Sequence, residues 1–84
     1  MYYVYILKST LYNRYYIGSS SDCEKRLAEH NAGSTKSTKP YRPWILIYTE
    51  THVTKESACK REWHLKHPKG YLDKLEILRK INKI

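Results

Sequence analysis

The chain has 84 residues, 40% of them hydrophobic, which predicts one domain over residues 1–84 with a small core rather than wholesale disorder. Sixteen Lys and Arg oppose eight Asp and Glu, so the net charge of +8 favours a polyanionic partner, with nucleic acid ahead of an acidic membrane. No apolar run reaches the roughly 18 residues of a membrane-spanning helix, so we expect a cytoplasmic protein with no membrane association, whose two cysteines, Cys23 and Cys59, are reduced and buried.

The first part of the chain predicts two strands and a helix. Residues 2–8 and 15–19 are rich in aromatic and β-branched residues, and the segment STLYN between them indicates a hairpin turn. A helix from about Asp22 to Ala32 follows. Ser21 and Glu24 have the spacing of a capping box at its start, and Gly33 is typical of a helix end.

The remaining chain predicts a loop, a strand and two helices. Residues 34–43 are polar, basic and contain two prolines, which predicts an exposed loop without regular structure. The segment WILIYTE, residues 44–50, predicts a largely buried third strand. Thr54 is placed to cap a helix that extends through about Lys66 and stops before Pro68, and residues 71–81 repeat apolar residues at helical spacings. The predicted order is β-β-α-β-α-α.

The first predicted helix carries two ionisable side chains on its apolar stripe. A helical wheel places Arg26 and His30 on the same side as Cys23 and Leu27. The plain interpretation is that the aliphatic stem of Arg26 packs while its head reaches water, and that His30 is a hydrogen-bonded, half-buried histidine. Two such residues one turn apart make a functional pair more credible than one alone.

The second predicted helix places Glu62 in the middle of the stripe formed by Ala58 and Leu65. Burial of a carboxylate without a partner costs several kcal/mol, so a cation should meet it. Two alternatives are open for that cation. One is a purely structural ion pair with Arg26, and the other is a divalent metal ion in a cleft where Arg26 binds phosphate.

The hairpin faces depend on the strand register. If Tyr5 lies opposite Tyr16, then Tyr3, Tyr5 and Leu7 share one face of the sheet with Tyr16 and Gly18. Tyrosines in strands are more often packing residues than functional ones.

Several motifs in the right order resemble those of the GIY-YIG nuclease superfamily, and most of all its small single-domain bacterial branch. The resemblance covers about residues 2–67 and rests on YVYIL, YYIG, EKRLAEHNAG, RPWILIYTE and ACKREWHLK. It implies an α+β fold with a three-stranded antiparallel sheet flanked by helices. It also implies an endonuclease that hydrolyses phosphodiester bonds of DNA with a divalent metal, structure-directed or weakly sequence-selective, with a possible role in DNA repair or recombination.

By position, the resemblance assigns the site residues individually. Tyr5 and Tyr16 match the motif tyrosines, Gly18 closes the second motif, and Arg26 and His30 match the helix arginine and the histidine one turn later. The metal-binding glutamate matches Glu62. Tyr3 and Val4 stand where the name-giving motif has Gly and Ile, and the asparagine that some relatives carry beyond the metal ligand has no clear counterpart, with Asn82 as the remaining candidate.

The expected mechanism uses these residues with one Mg²⁺ or Mn²⁺ ion. Tyr5 takes a proton from the attacking water, with His30 or a metal-bound water relaying it, Tyr16 orients the phosphate or the water, and Arg26 binds the scissile phosphate. We expect a single ion because Glu62 is the one acid predicted on an inward face. The other acids fall at caps, ends or solvent faces in the prediction: Asp22, Glu24, Glu29, Glu50, Glu56, Asp73 and Glu76.

Other basic residues are candidates for sequence-independent DNA contacts. Lys36, Lys39 and Arg42 lie among small hydroxylated residues in the predicted loop. The C-terminal segment offers further candidates that could extend the same surface: Lys74, Arg79, Lys80 and Lys83.

Two rival functions belong to other classes. The first is a noncatalytic nucleic-acid-binding module that retains the fold, and the second is a basic structural protein of the nucleoid or the ribosome. A pure binder needs no buried carboxylate, so the placement of Glu62 favours the nuclease. We expect a monomer or weak dimer, with a protein partner as one possible source of substrate choice.

Overall fold

The structure is a computed structural model that describes residues 1–82. Lys83 and the side chain of Asn82, both named above as candidates, lie outside the described part. The elements are β1 (Tyr2–Ser9), β2 (Tyr15–Ser20), α1 (Cys23–Ala32), β3 (Trp44–His52), α2 (Lys55–Lys66) and α3 (Tyr71–Asn82). This order confirms the predicted β-β-α-β-α-α succession.

The three strands form one antiparallel sheet in the order β2-β1-β3. β1 lies in the centre, and its residues Val4, Tyr5, Ile6 and Leu7 are all at most 1% exposed. A central strand covered on both faces needs apolar residues at consecutive positions, which explains the unbroken run in the sequence VYIL.

The hairpin register differs from the one assumed from the sequence. Tyr5 lies opposite Gly18, and Leu7 lies opposite Tyr16, so the prediction that Tyr5 faces Tyr16 directly is wrong. The shift is two residues, and side chains alternate with a period of two, so Tyr5 and Tyr16 still lie on the same face.

The helices cover the two faces of the sheet separately. On the first face, α1 packs through Cys23 and Leu27 against a core of Tyr5, Leu7 and Trp44. On the other face, α2 and α3 cover a second core formed by Val4, Ile6, Ile17, Ala58 and Leu65. The sheet therefore separates the layer that carries Arg26 and His30 from the layer that carries Glu62.

The helix boundaries confirm two predicted caps and correct a third. Gly33 ends α1 with a φ of 86°, a left-handed conformation that glycine adopts without strain. Thr54 caps α2 by accepting a hydrogen bond from the backbone N–H of Ser57 at 3.1 Å. The cap of α1 is Asp22, whose carboxylate accepts from the backbone N–H of Lys25 at 3.0 Å, so Ser21 does not form the predicted capping box.

Three expectations about exposure are wrong. The loop of residues 34–43 is not fully exposed, because Thr38 is only 1% exposed. It also contains a 3₁₀ turn over Lys39–Tyr41, in which Pro40 is tolerated because the N–H groups of a first turn need no partner. β3 is half-exposed because it is an edge strand, and Ile45 is 47% exposed. Cys59 is exposed and Cys23 is half-buried, although both cysteines are free as predicted.

No helix within residues 1–82 combines the length and the apolar character needed to cross a lipid bilayer.

Candidate active site

The Tyr5 side chain crosses over Gly18 on the neighbouring strand. A Cβ atom at position 18 would overlap the hydroxyl oxygen and Cζ of Tyr5, so only glycine leaves room for the phenol. The Tyr5 hydroxyl lies 3.2 Å from His30 Nε2, and Tyr5 as a whole is 1% exposed. The phenol thus lies at the base of the site, beneath other side chains.

His30 is fully buried, and its hydrogen bonds indicate one tautomer. Its Nδ1 lies 2.9 Å from Thr38 Oγ1, and that hydroxyl donates its proton to the backbone carbonyl of Thr35 at 3.3 Å. With its proton committed, Thr38 accepts from Nδ1–H, which leaves Nε2 as an acceptor for the Tyr5 hydroxyl proton. Burial, together with the positive charge of Arg26, lowers the pKa of His30 below its ordinary value. A neutral imidazole is therefore aimed at the phenol.

Arg26 lies beside this pair on α1, and its side chain is 34% exposed. Its guanidinium is beside the Tyr5 hydroxyl, and its Nη1 forms an ion pair with Glu29 Oε1 at 2.6 Å. Burial raises the pKa of Tyr5, and the neighbouring Arg26 partly offsets that increase. Arg26 does not pair with Glu62 in this structure, so the structural ion pair considered from the sequence is not formed.

Tyr16 lies between the Tyr5–His30 pair and Lys66 of α2. Its ring centroid lies 6.4 Å from that of Tyr5 and 4.8 Å from that of His30. On its other side, the Lys66 ammonium lies 5.0 Å from the Tyr16 ring centroid. Side chains of α1, β1, β2 and α2 therefore meet around this one tyrosine.

Glu62 lies at the edge of the site, on α2. Its Oε1 accepts a hydrogen bond from Ser19 Oγ at 2.6 Å, and its Oε2 lies 2.8 Å from Lys66 Nζ. The side chain is 24% exposed. The cation expected next to the Glu62 carboxylate is thus Lys66, which lies one turn further along the same helix.

Glu62 is the candidate ligand for a divalent metal ion at this site. Within residues 1–82, no three His, Cys, Asp or Glu side chains converge into a complete metal site. A complete site is not required, because Mg²⁺ keeps several waters and is commonly held by one or two carboxylates together with substrate phosphate. Glu62 offers one partly exposed carboxylate at a groove. This carboxylate could serve as the protein ligand of such a site if Lys66 moved away from it.

The basic loop, residues 34–43, forms a second part of the surface. Lys36, Lys39 and Arg42 all line an open groove of about 830 Å³. Arg42 Nε donates to the Lys39 carbonyl at 2.9 Å, which fixes the backbone of the turn. The same loop places Thr38 against His30, so the loop that carries the basic side chains also holds the buried histidine.

Lys74 and Lys80, on α3, lie away from the basic loop. α3 packs on the opposite face of the sheet from α1, and Lys80 is 3.5 Å from Glu76 of its own helix. Lys74 instead lines a groove with Lys66 and Tyr71. The contribution of Arg79 and Lys83 to that surface stays a prediction, and Lys83 lies outside the described residues.

Three residues of the site were not identified from the sequence. Lys66 could have been, because it follows Glu62 by four residues on a helix, the spacing of an ion pair. Ser19 follows Gly18 in β2, where the alternation of the strand turns it toward α2. Thr38 carries no sequence signal, because its contact with His30 depends on how the loop folds.

Glu50 is also more buried than predicted. Its carboxylate accepts hydrogen bonds from Arg61 Nε at 2.7 Å and from the Tyr48 hydroxyl at 2.7 Å, and its side chain is 19% exposed. Burial alone would raise the pKa of Glu50, but hydrogen bonds from Arg61, Tyr48 and His52 outweigh it and lower the pKa. Glu50 pairs with Val4 on the α2 face, apart from Tyr5.

The family model and the relatives that match this chain agree on one family. A model described as the GIY-YIG catalytic domain matches residues 1–75. A UPF0213 protein of Staphylococcus haemolyticus is 43% identical over 65 residues, covering 76% of this chain and 78% of the relative. A UPF0213 protein of Halobacterium salinarum is 37% identical over 67 residues, covering 79% and 86% of the two chains.

A solved structure supports the fold. The solution NMR structure of a UPF0213 protein from Bacillus halodurans superimposes with a TM-score of 0.52 at 26% sequence identity. The match covers 90% of this chain and 83% of the other. The three-stranded antiparallel sheet with three helices is therefore an architecture that this chain shares with a measured structure.

Proposed function

Because the chain belongs to the GIY-YIG nuclease superfamily, we propose that it is a metal-dependent endonuclease that hydrolyses phosphodiester bonds in DNA. The observation that carries the proposal is the buried Tyr5 hydroxyl, which contacts His30 Nε2 and lies beside Arg26. A phenol with a neutral base on one side and a guanidinium on the other is arranged to exchange a proton. We further propose structure-directed or weakly selective cleavage, with a role in DNA repair or recombination.

Tyr5 and His30 form the proposed proton path. The Tyr5 hydroxyl donates toward His30 Nε2, so transfer of its proton to His30 leaves a phenolate that can accept a proton from the attacking water. Arg26 stabilises the negative charge on that oxygen. Since Tyr5 is 1% exposed, the water reaches it only when the overlying side chains shift.

Arg26 and Tyr16 are the proposed phosphate-binding groups. Arg26 is 34% exposed and its present partner is Glu29, an exchangeable surface ion pair. The planar guanidinium can turn from Glu29 to a phosphate and contact two of its oxygens. Tyr16 lies between Tyr5 and Lys66, where its hydroxyl can orient the phosphate or the water.

Glu62 would hold the metal ion, with Ser19 fixing the carboxylate in position. A bound Mg²⁺ or Mn²⁺ would supply charge neutralisation at the leaving oxygen. Lys66 must release Glu62 for this to occur. In the proposed complex its ammonium is then available for a phosphate.

The direct test is a cleavage panel of labelled single-stranded, duplex, nicked, flapped and branched DNA with Mg²⁺ or Mn²⁺. We expect cleavage by the wild type and a loss of at least about 100-fold in Glu62→Gln, with DNA binding retained. Glu56→Gln is the matched control, because Glu56 is exposed in the first turn of the same helix. A wild type that binds but never cuts, or a fully active Glu62→Gln variant, would refute the proposal.

The second candidate is a noncatalytic nucleic-acid-binding module. The ion pair between Glu62 and Lys66 favours it, because a carboxylate that is already neutralised needs no metal ion. DNA binding without cleavage on every substrate of the panel would support this alternative. The cytoplasmic location, the monomeric or weakly dimeric state and a partner protein stay predictions.

A further inference from the structure

Trp63 is a large aromatic side chain that the core does not use. It lies on α2 directly after Glu62 and is 59% exposed. Its ring is stacked on that of His67, with a centroid distance of 4.2 Å and an interplanar angle of 23°. Since His67 covers only one face and most of the side chain is exposed, the opposite face of the indole is open to a ligand.

The indole borders the proposed metal ligand. A groove of about 360 Å³ is lined by Cys59, Glu62, Trp63, Lys66 and His67, so the carboxylate and the stacked rings share one cavity. A second groove of about 480 Å³ is lined by Trp63 together with Cys59, Lys60 and His64. Trp63 thus borders two open grooves, one of which is also lined by Glu62.

The neighbouring charges define the class of ligand. Lys60 and Lys66 flank Trp63, and a third groove carries Lys66 past His67 to Tyr71 and Lys74, with the Lys74 ammonium 5.7 Å from the Tyr71 ring centroid. Alternating aromatic rings and lysines are the pattern of a surface that stacks bases and neutralises a phosphate backbone. The net charge of +8 also attracts an anionic nucleic-acid strand.

We propose that Trp63, supported by His67, stacks an unpaired base of the DNA strand next to the phosphate cleaved at Glu62. This inference rests on the proposed nuclease function and narrows its substrate class. Bases in a continuous duplex are stacked on their neighbours and offer no free face, whereas an unpaired base does. The preferred substrate therefore has a single-stranded segment, as in a flap, a gap or a free single strand.

The test uses binding, so that its outcome is independent of cleavage. Fluorescence anisotropy in EDTA compares an oligo(dT) strand of about 20 nucleotides with a duplex of about 20 base pairs for the wild type, Trp63→Leu, Trp63→Phe and Leu72→Ala. Both lengths slightly exceed the roughly 4–16 nucleotides that one small domain covers. We expect Trp63→Leu to weaken single-strand binding by about 5- to 100-fold and duplex binding by less than about twofold. Trp63→Phe, which keeps a ring, should retain most of the single-strand affinity.

Leu72→Ala is the control, because Leu72 is 77% exposed on α3 and has no ring. Equal losses on single strand and duplex, no loss with Trp63→Leu, or no single-strand binding by the wild type would overturn the proposal. Ring-dependent single-strand binding without any cleavage would leave the stacking site standing and refute the nuclease function instead. If the Trp63→Leu variant cleaves DNA as well as the wild type, the stacking site is refuted and the nuclease function stands.

Discussion

The Lys66 ammonium lies 2.8 Å from Glu62 Oε2 and 5.0 Å from the ring centroid of Tyr16, so one lysine contacts both the proposed metal ligand and Tyr16. In this position Lys66 competes with any cation for Glu62. In the proposed complex, its ammonium is free to contact a phosphate once a metal ion has replaced it at Glu62. The ion pair between Lys66 and Glu62 is therefore expected to control how readily the proposed site accepts a metal ion.

Replacement of Lys66 by methionine should tighten Mn²⁺ binding. Loss of a partly exposed i,i+4 ion pair worth about 0.3–0.5 kcal/mol corresponds to about a twofold gain in affinity, and the removed positive charge adds to it. Isothermal titration of Mn²⁺ into both proteins measures the change. Lys80→Met is the control, since Lys80 forms the same kind of pair with Glu76 far from the site. Equal affinities in Lys66→Met and wild type would show that Lys66 does not compete.

Tyr5→Phe should lower cleavage by at least about 100-fold, because the variant retains the ring but has no hydroxyl to transfer a proton. Burial raises the pKa of Tyr5, so the wild-type rate should also increase steadily with pH above 7 as more phenolate forms. Single-turnover rates between pH 6.5 and 9.5 test both points. Tyr15→Phe, on the other face of the sheet, should cut like the wild type. A Tyr5→Phe variant with normal rates would remove Tyr5 from the mechanism.

His30 should make the fold less stable in mild acid. Burial and the charge of Arg26 lower its pKa in the folded protein, and Glu29 only partly opposes them, while the unfolded chain titrates near 6.5. Below pH 6.5 the unfolded state then binds the extra proton, so the free energy of unfolding decreases as the pH falls from about 6.5 toward the folded pKa. Thermal unfolding of wild type and His30→Gln between pH 7.5 and 5 measures this. The variant should depend less on pH, and equal slopes would contradict the assignment.

Glu29→Gln should tighten DNA binding by about two- to fivefold. Arg26 Nη1 lies 2.6 Å from Glu29 Oε1, and an exposed ion pair of this kind is worth about 0.2–1 kcal/mol. In the variant, a phosphate binds Arg26 without first displacing Glu29. Anisotropy titrations at fixed salt give the ratio of dissociation constants. Glu24→Gln changes the charge of the same helix equally but lies exposed in its first turn. An equal gain in both variants would point to net charge rather than to release of Arg26.

Gly18→Ala should both destabilise the protein and lower its activity. The added Cβ overlaps the Tyr5 hydroxyl and Cζ, and the buried ring can make room only by leaving its contact with His30. Overpacking of this kind typically costs about 1–3 kcal/mol of unfolding free energy. Urea denaturation and cleavage rates test the two effects. Thr49→Ala, at the other cross-strand neighbour of Tyr5, is exposed and should have little effect, so a stable and active Gly18→Ala variant would contradict the close approach.

Local sequence pattern determined the order and type of the elements and the direction of several side chains. The helical period alone places His30 and Glu62 toward the sheet, because angular positions on a helix follow from the spacing of the residues. Gly33 and Thr54 were equally predictable, since an αL end and a hydroxyl cap depend only on neighbouring backbone. The face shared by Tyr5 and Tyr16 survived an incorrect register because the strand period is two.

Only the tertiary structure decided which partner each of these side chains meets. Glu62 could have paired with Arg26 as far as the sequence shows, yet the sheet keeps them in different layers, and Lys66 and Ser19 take that place. Thr38 reaches His30 because the basic loop folds back toward α1, and Trp63 remains exposed although it is a large aromatic residue. Periodicity specifies the direction of a side chain from local geometry, whereas partners and exposure depend on distances between segments far apart in the chain.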